Sequence, residues 1–334
     1  MKLPDPLTVP FVSDAVRSSP VVIVDCGAAG GIDPLFKRLS DWKAARCYGF
    51  EPNPSEFAKL PPRESTAYFP FAISDKVGPA EFYASKTFGG LQDRSDVIDA
   101  EFKRIEVQVE TIDNLVATGR IAAPNVIKTD IEGHDYFALR GADKSLSSAL
   151  CVKSEIGWSD PDGFSAIHAY LITRGFLPFG VSYNTSFFGP LQSGDVLYLR
   201  SVDHILSQPD ARELVIKLVA ISASLRFFEY AALCARKAAD KSVFSVSECD
   251  ALTGVLTGAV YLPEHIRPTG LGTKIAIVFG VAAEFCAGYL RRAKSLPKSN
   301  QFLRPSFLFR ASSRGRKGLE RKIGEAAGQP DQQI

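Results

Sequence analysis

None of the six cysteines forms a C-x-x-C pair, and none has a histidine at zinc-finger distance. They stand at 26, 47, 151, 234, 249 and 286, which excludes a disulfide or zinc framework and fits reduced, mostly buried thiols. Long apolar runs are also missing. The most apolar stretch, residues 275–290, is short for a membrane span, which takes about 20 such residues, and it contains Glu284. It reads as a buried or interfacial helix. The first ten residues hold Lys2 but no apolar core of a secretory signal, so a cytoplasmic protein is expected. There is no internal repeat. Basic and aromatic residues are not interleaved as RNA-binding modules require, so no nucleic-acid partner is expected.

What is present is enough for a large core: 334 residues, 46% of them hydrophobic. The formal net charge of +2 hides an asymmetry. Residues 1–202 carry 20 Lys and Arg against 25 Asp and Glu, whereas residues 203–334 carry 19 against 12. Two regions of different charge suggest two modules. The expected division is an α/β domain over 1–202, a helical module over 203–293, and a basic, flexible tail over 294–334. That tail, with Phe302, Phe307 and Phe309 among its arginines, is a candidate for peripheral contact with an anionic surface.

Along the chain, a short entry helix at 11–17 precedes Val21-Val22-Ile23-Val24-Asp25. An unbroken β-branched run of this kind suits a strand buried on both faces of a parallel sheet. A loop follows to Gly31, then Asp33-Pro34 opens a helix to about Trp42. Further strands are expected at 46–51, 66–73, 80–84, 105–109, 126–131 and 150–156. A helix is expected to end near Arg140 before Gly141, and an amphipathic helix spans Phe164 to Arg174. A hairpin-like pair at 176–183 and 196–199 closes the region. Strands alternating with helices predict a doubly wound, mostly parallel Rossmann-like sheet, with an α-helical C-terminal extension.

Two features suggest a nucleoside-bearing ligand. Asp25-Cys26-Gly27-Ala28-Ala29-Gly30-Gly31 lies between a buried strand and a helix, where glycine lets the backbone approach a ligand. Glu51 ends the next strand, about twenty residues on, where a carboxylate can accept from ribose hydroxyls. A glycine turn also serves packing, and the pair by itself does not separate a nicotinamide cofactor from S-adenosylmethionine.

The blocks taken together resemble the FkbM family of methyltransferases. They are Val24 to Gly31, Tyr48-Gly49-Phe50-Glu51-Pro52-Asn53-Pro54, Ala72 to Gly78, Val109 to Leu115, and Ile127-Lys128-Thr129-Asp130-Ile131-Glu132-Gly133-His134-Asp135 with Leu139-Arg140-Gly141-Ala142. The resemblance covers about residues 20 to 180. It implies S-adenosylmethionine as cofactor and O-methylation of a hydroxyl on a sugar, a glycan or a secondary metabolite. It further implies that Gly27, Ala28 and Ala29 line the methionine part. On the same resemblance, Asp25 would hold the loop or the cofactor's amino group, Glu51 would bind the ribose, Asn53 would lie beside the adenosine, Ser74 and Asp75 would approach the adenine, and Asp130 would face the sulfonium. Two positions depart from the family: Ala29 stands where Asn is usual, and Asp135 where Glu is more usual.

A hydroxyl is a poor nucleophile, so a general base is expected. His134 is the first candidate because imidazole titrates near neutrality; Asp130 and Glu155, both at strand ends, are the others. If the chain stays extended past Asp130, then Asp130, Glu132 and His134 also form a weak candidate set for a divalent metal. The acceptor pocket is expected to be built from loops 88–99 and 183–194. Rival readings are an NAD-type oxidoreductase, a non-catalytic methyltransferase fold, and methylation of nitrogen or a macromolecule. The first lacks its G-x-G-x-x-G and the last its Asn-Pro-Pro-Tyr motif.

Overall fold

A computed structural model describes residues 3–84, 89–91, 103–182, 184–185 and 191–257. All of them belong to the first of the two units into which the chain divides, Met1–Tyr261. The helix expected at 275–290 and the basic tail lie outside the described residues, as does most of the loop expected at 88–99.

The chain opens with helix α1 (Pro10–Ser18) and strand β1 (Val21–Cys26), in which all six residues are buried. A short helix α2 (Lys37–Asp41) leads to β2 (Ala45–Phe50), and α3 (Pro54–Phe57) leads to β3 (Thr66–Phe69). The single strand expected at 66–73 is two strands. Pro70 has no N–H for a ladder, and beyond it β4 (Phe71–Ile73) leaves the main sheet for a second one. There β4 lies beside β7 (Lys103–Glu110), which pairs antiparallel with β5 (Gly78–Ala84), and β6 (Gly89–Gly90) pairs with β5.

Helix α4 (Ile112–Ala117) returns the chain to the main sheet at β8 (Val126–Thr129), followed by α5 (Asp135–Arg140), β9 (Cys151–Gly157) and α6 (Phe164–Ile172). Strands β10 (Phe176–Val181), β11 (Asn184–Thr185) and β12 (Leu191–Arg200) add an antiparallel edge. The main order is β10-β12-β9-β8-β1-β2-β3, parallel from β9 to β3. This is the doubly wound α/β sheet expected from the sequence.

The period of two along β1 divides the core. Val21 and Ile23 join one apolar cluster; Val22, Val24 and Cys26 join another. The second face is covered by α4, α5 and α6 through residues such as Leu115, Leu139 and Leu171. The first face is covered by α1, α2 and the helices that follow the sheet: α7 (Val202–Ile205), α8 (Ala211–Ser224), α9 (Phe228–Asp240) and α10 (Val246–Leu256). In α8 every residue except Arg212 and Glu213 is buried, as a helix apolar on nearly all sides requires. The change of composition at Val202 is therefore not a change of core: through Leu256 the helices and the sheet share one cluster. The five described cysteines are free and buried. Among the described residues no helix is long and apolar enough to cross a membrane.

Candidate active site

From β1 the chain winds to β2 and β3 on one side, then returns to β8 and β9 on the other. Ligands of open α/β sheets bind at such a reversal, beyond the carboxyl ends of the strands. Here a cleft of about 390 Å³ opens, walled by the residues that follow β1, β2 and β8 and by the second sheet.

The loop after β1 is fixed from several sides. The Gly27 and Ala28 amides both donate to the Phe50 carbonyl at 3.0 Å, joining it to the end of β2. Gly27 has φ +83°, and a Cβ there would stand 2.0 Å from the Asp130 carbonyl oxygen, so β1 and β8 meet too closely for a side chain. Asp25 is fully buried. Its Oδ2 accepts from the Asp33 amide at 2.7 Å, and its Oδ1 forms an ion pair with Lys128 Nζ at 3.0 Å. Burial pushes the Asp25 carboxyl up to about 6, with Lys128 opposing. Asp33 ion-pairs with Lys153 of β9, also at 3.0 Å.

Gly27 and Ala29 line the cleft, whereas Ala28 is buried beneath it. Asp25 is likewise enclosed and holds the loop. Glu51 lines the cleft; its Oε1 accepts from the Asn53 amide at 2.8 Å, and burial holds its carboxyl above the usual range. Asn53 lines the cleft while its Oδ1 caps α3 by accepting from the Ser55 amide at 3.0 Å. Ser74 and Asp75 border a neighbouring depression, which shares His134 and Leu91 with the cleft.

Strand β8 stops at Thr129, and the chain turns. Glu132 has φ +59° and Gly133 φ +89°, so the extended run that would align Asp130, Glu132 and His134 is not formed. Among the described residues no three such side chains are grouped to hold a metal ion. Asp130 faces the cleft with its side chain 43% exposed. The His134 ring stacks on Phe137 at 4.7 Å between centroids, and its Nε2 is 2.8 Å from Ser74 Oγ. Its Nδ1 is buried without a hydrogen bond. Burial holds the imidazole below its ordinary pKa, with Asp75 and Asp162 opposing. It is thus neutral near pH 7, but its Nε2 is occupied by Ser74 and its Nδ1 is closed off from the cleft. Asp135 is buried under the turn, accepts from the Gly133 amide at 3.2 Å, and is pushed up to about 7, chiefly by burial. Glu155 of β9 stands outside the cleft wall, opposite Asp195 on β12.

Lys128 is the residue that sequence reasoning passed over. Its signal was available: a lysine inside a strand buried on both faces must have partners. Lys153 gave a weaker one, because the alternation of β9 leaves it half-buried.

Burial, and then Asp130, Asp135, Glu132 and Asp195, push the Glu155 carboxyl up to about 8. A carboxyl with a raised folded pKa stabilises the fold while protonated. That contribution is present below the unfolded value near 4.5 and is lost as pH rises through about 8. Glu155→Gln is therefore expected to match the parent Tm at pH 5 and to exceed it at pH 9. Thermal melts at the two pH values check this, and an equal Tm at pH 9 contradicts it.

The main sheet is a doubly wound, Rossmann-like α/β sheet with a cleft beyond the carboxyl ends of β1, β2 and β8. Residues 25–178 match the model of the methyltransferase FkbM domain. The chain is similar to the hexuronic acid methyltransferase AglP of Haloferax volcanii, with 30% identity over 119 residues, covering 34% of this chain and 47% of that protein. The match thus spans about half the length of that relative. Among solved structures, it is similar to an rRNA methylase from Streptococcus thermophilus (13% identity, 60% of this chain and 98% of that one, TM-score 0.33). It is also similar to magnesium protoporphyrin IX methyltransferase from Synechocystis PCC 6803 with bound S-adenosylmethionine (12% identity, 59% and 79%, TM-score 0.31).

Proposed function

We propose that this chain is an S-adenosylmethionine-dependent O-methyltransferase whose acceptor is a hydroxyl of a sugar, a glycan or a secondary metabolite. The observation that carries this reading is the pairing of two carboxylates, Glu51 and Asp130, on one cleft over the close-approach glycine Gly27. The residues fit the cofactor. Glu51, at the end of β2, would accept from the ribose hydroxyls. Gly27 and Ala29 would lie along the methionine part, and Asn53 beside the adenosine. Among the described residues the wall carries Asp33, Glu51, Glu56, Asp130 and Glu132 against one ammonium, Lys128. Such a wall suits a cationic ligand. When bound, the cofactor supplies an electrophilic methyl group on a sulfonium.

What remains for the protein is to orient an acceptor oxygen and take its proton. Of the three candidates His134, Asp130 and Glu155, only Asp130 has an accessible acceptor atom on the cleft wall. Asp130 Oδ1 or Oδ2 takes the proton, while His134 and Ser74 brace the turn that carries it. A sugar acceptor agrees with the hexuronic acid named for the Haloferax volcanii relative.

The test is transfer of labelled methyl from S-adenosylmethionine to a panel of neutral and acidic sugars. Asp130→Asn is expected to lower kcat by about 10²–10⁴-fold while changing S-adenosylhomocysteine affinity by no more than about threefold. His134→Gln is expected to cost less than about tenfold in kcat. If the order is reversed, His134 is the base. If no acceptor is turned over by a chain that binds the cofactor, the non-catalytic reading takes its place.

A further inference from the structure

We infer that Lys128 is a positioning residue: its ammonium fixes the Gly27 carbonyl and the Asp130 carboxylate relative to each other, and so sets the shape of the cleft where β1 meets β8. This deepens the reading above, and only one arm of its test rests on that reading.

Lys128 is 4% exposed, on a strand whose four residues are all buried. An ammonium in such a place is costly unless charge and hydrogen bonds compensate it. Two of its partners, Gly27 and Asp130, line the cleft, and the other two, Asp25 and Cys26, are buried at the end of β1. Nζ donates to the Gly27 carbonyl at 2.8 Å and to the Cys26 carbonyl at 3.3 Å. It forms ion pairs with Asp25 at 3.0 Å and with Asp130 at 3.6 Å. Burial alone would depress the ammonium, but Asp25 and Asp130 outweigh it and hold Lys128 above the ordinary lysine value. One charged group thus ties the first residues of the loop to the cleft-facing carboxylate of the neighbouring strand. An apolar residue would pack here at least as well, but it would leave two carbonyls and a buried carboxylate without their partner.

Lys128→Met alone leaves Asp25 unpaired, so the test uses Lys128→Met with Asp25→Asn, which removes both charges and keeps an acceptor for the Asp33 amide. Amide hydrogen exchange on the ligand-free protein is expected to show Gly27 and Ala28 exchanging at least about tenfold faster, with amides of α8 and β9 unchanged. S-adenosylhomocysteine is expected to bind about tenfold or more weakly. Lys128→Gln, which keeps a donor near Gly27, is expected to retain more loop protection than Lys128→Met; it serves also if the double variant does not fold. Parent-like exchange at Gly27 and Ala28 in a folded variant overturns the inference. If the parent protein itself has no affinity for S-adenosylhomocysteine, the cofactor reading fails, and the exchange result still decides the role of Lys128.

Discussion

Gly27→Ala is expected to abolish cofactor binding and to lower the melting temperature by roughly 5–15 °C. Two effects act at this one position. The backbone sits at φ +83°, where an L side chain is strained, and the new methyl carbon would stand 2.0 Å from the Asp130 carbonyl oxygen. Strain and overpacking together cost about 2–4 kcal/mol. Relief requires β1 and β8 to part at their carboxyl ends, and this would break the hydrogen bond from the Asp130 amide to the Cys26 carbonyl. Thermal denaturation and ligand titration of one sample check both effects. Gly30→Ala is the informative control: Gly30 also has positive φ (+79°), but nothing lies within 4 Å of an added Cβ. It should suffer strain without the clash, and so lose less stability. Equal losses at the two positions would mean that the contact with Asp130 does not matter.

The parts of the fold that were legible in the sequence are those where one physical requirement dominates. The run Val21 to Asp25 had to be buried on both faces, and it is an interior strand of the main sheet, between β8 and β2. Gly27 and Glu51 were legible because a close backbone approach and a strand-end carboxylate leave residue-type signatures twenty-odd positions apart. Thr66 to Ile73 misled because alternation alone cannot show that the chain changes sheets; Pro70 held the information. The helices after Val202 read as a separate module because charge and composition change there. The pattern of α8, apolar on nearly every side, instead marks a helix enclosed between the sheet and other helices.

Within the site, the sequence could not show which way side chains turn after Thr129. The left-handed residues Glu132 and Gly133 end the extended run, so Asp130 faces the cleft while His134 turns to Ser74. Glycine at 133 was a visible sign of a turn, but Glu132 at φ +59° was not. Lys128 was present in the most distinctive motif, yet its role depends on Asp25 and Gly27, about a hundred residues away. Nothing local encodes that contact.

Glu51 and the loop after β1 are proposed to hold S-adenosylmethionine. Glu51 is 5% exposed, its Oε1 is already fixed by the Asn53 amide, and its carboxylate lines the cleft. Two charge-assisted hydrogen bonds to a ribose are together worth about 3–5 kcal/mol, so their loss is expected to weaken binding by roughly 100-fold or more. Because burial holds the Glu51 carboxyl above its usual range, binding is also expected to fall off on acidification earlier than an exposed glutamate would allow. The decisive measurement is calorimetric titration of the protein and of Glu51→Ala with S-adenosylmethionine and S-adenosylhomocysteine. Saturable micromolar binding of both ligands by the protein, lost in the folded variant, is expected. A folded parent protein that binds neither ligand, or a Glu51→Ala variant that binds both as tightly as the parent, would contradict it.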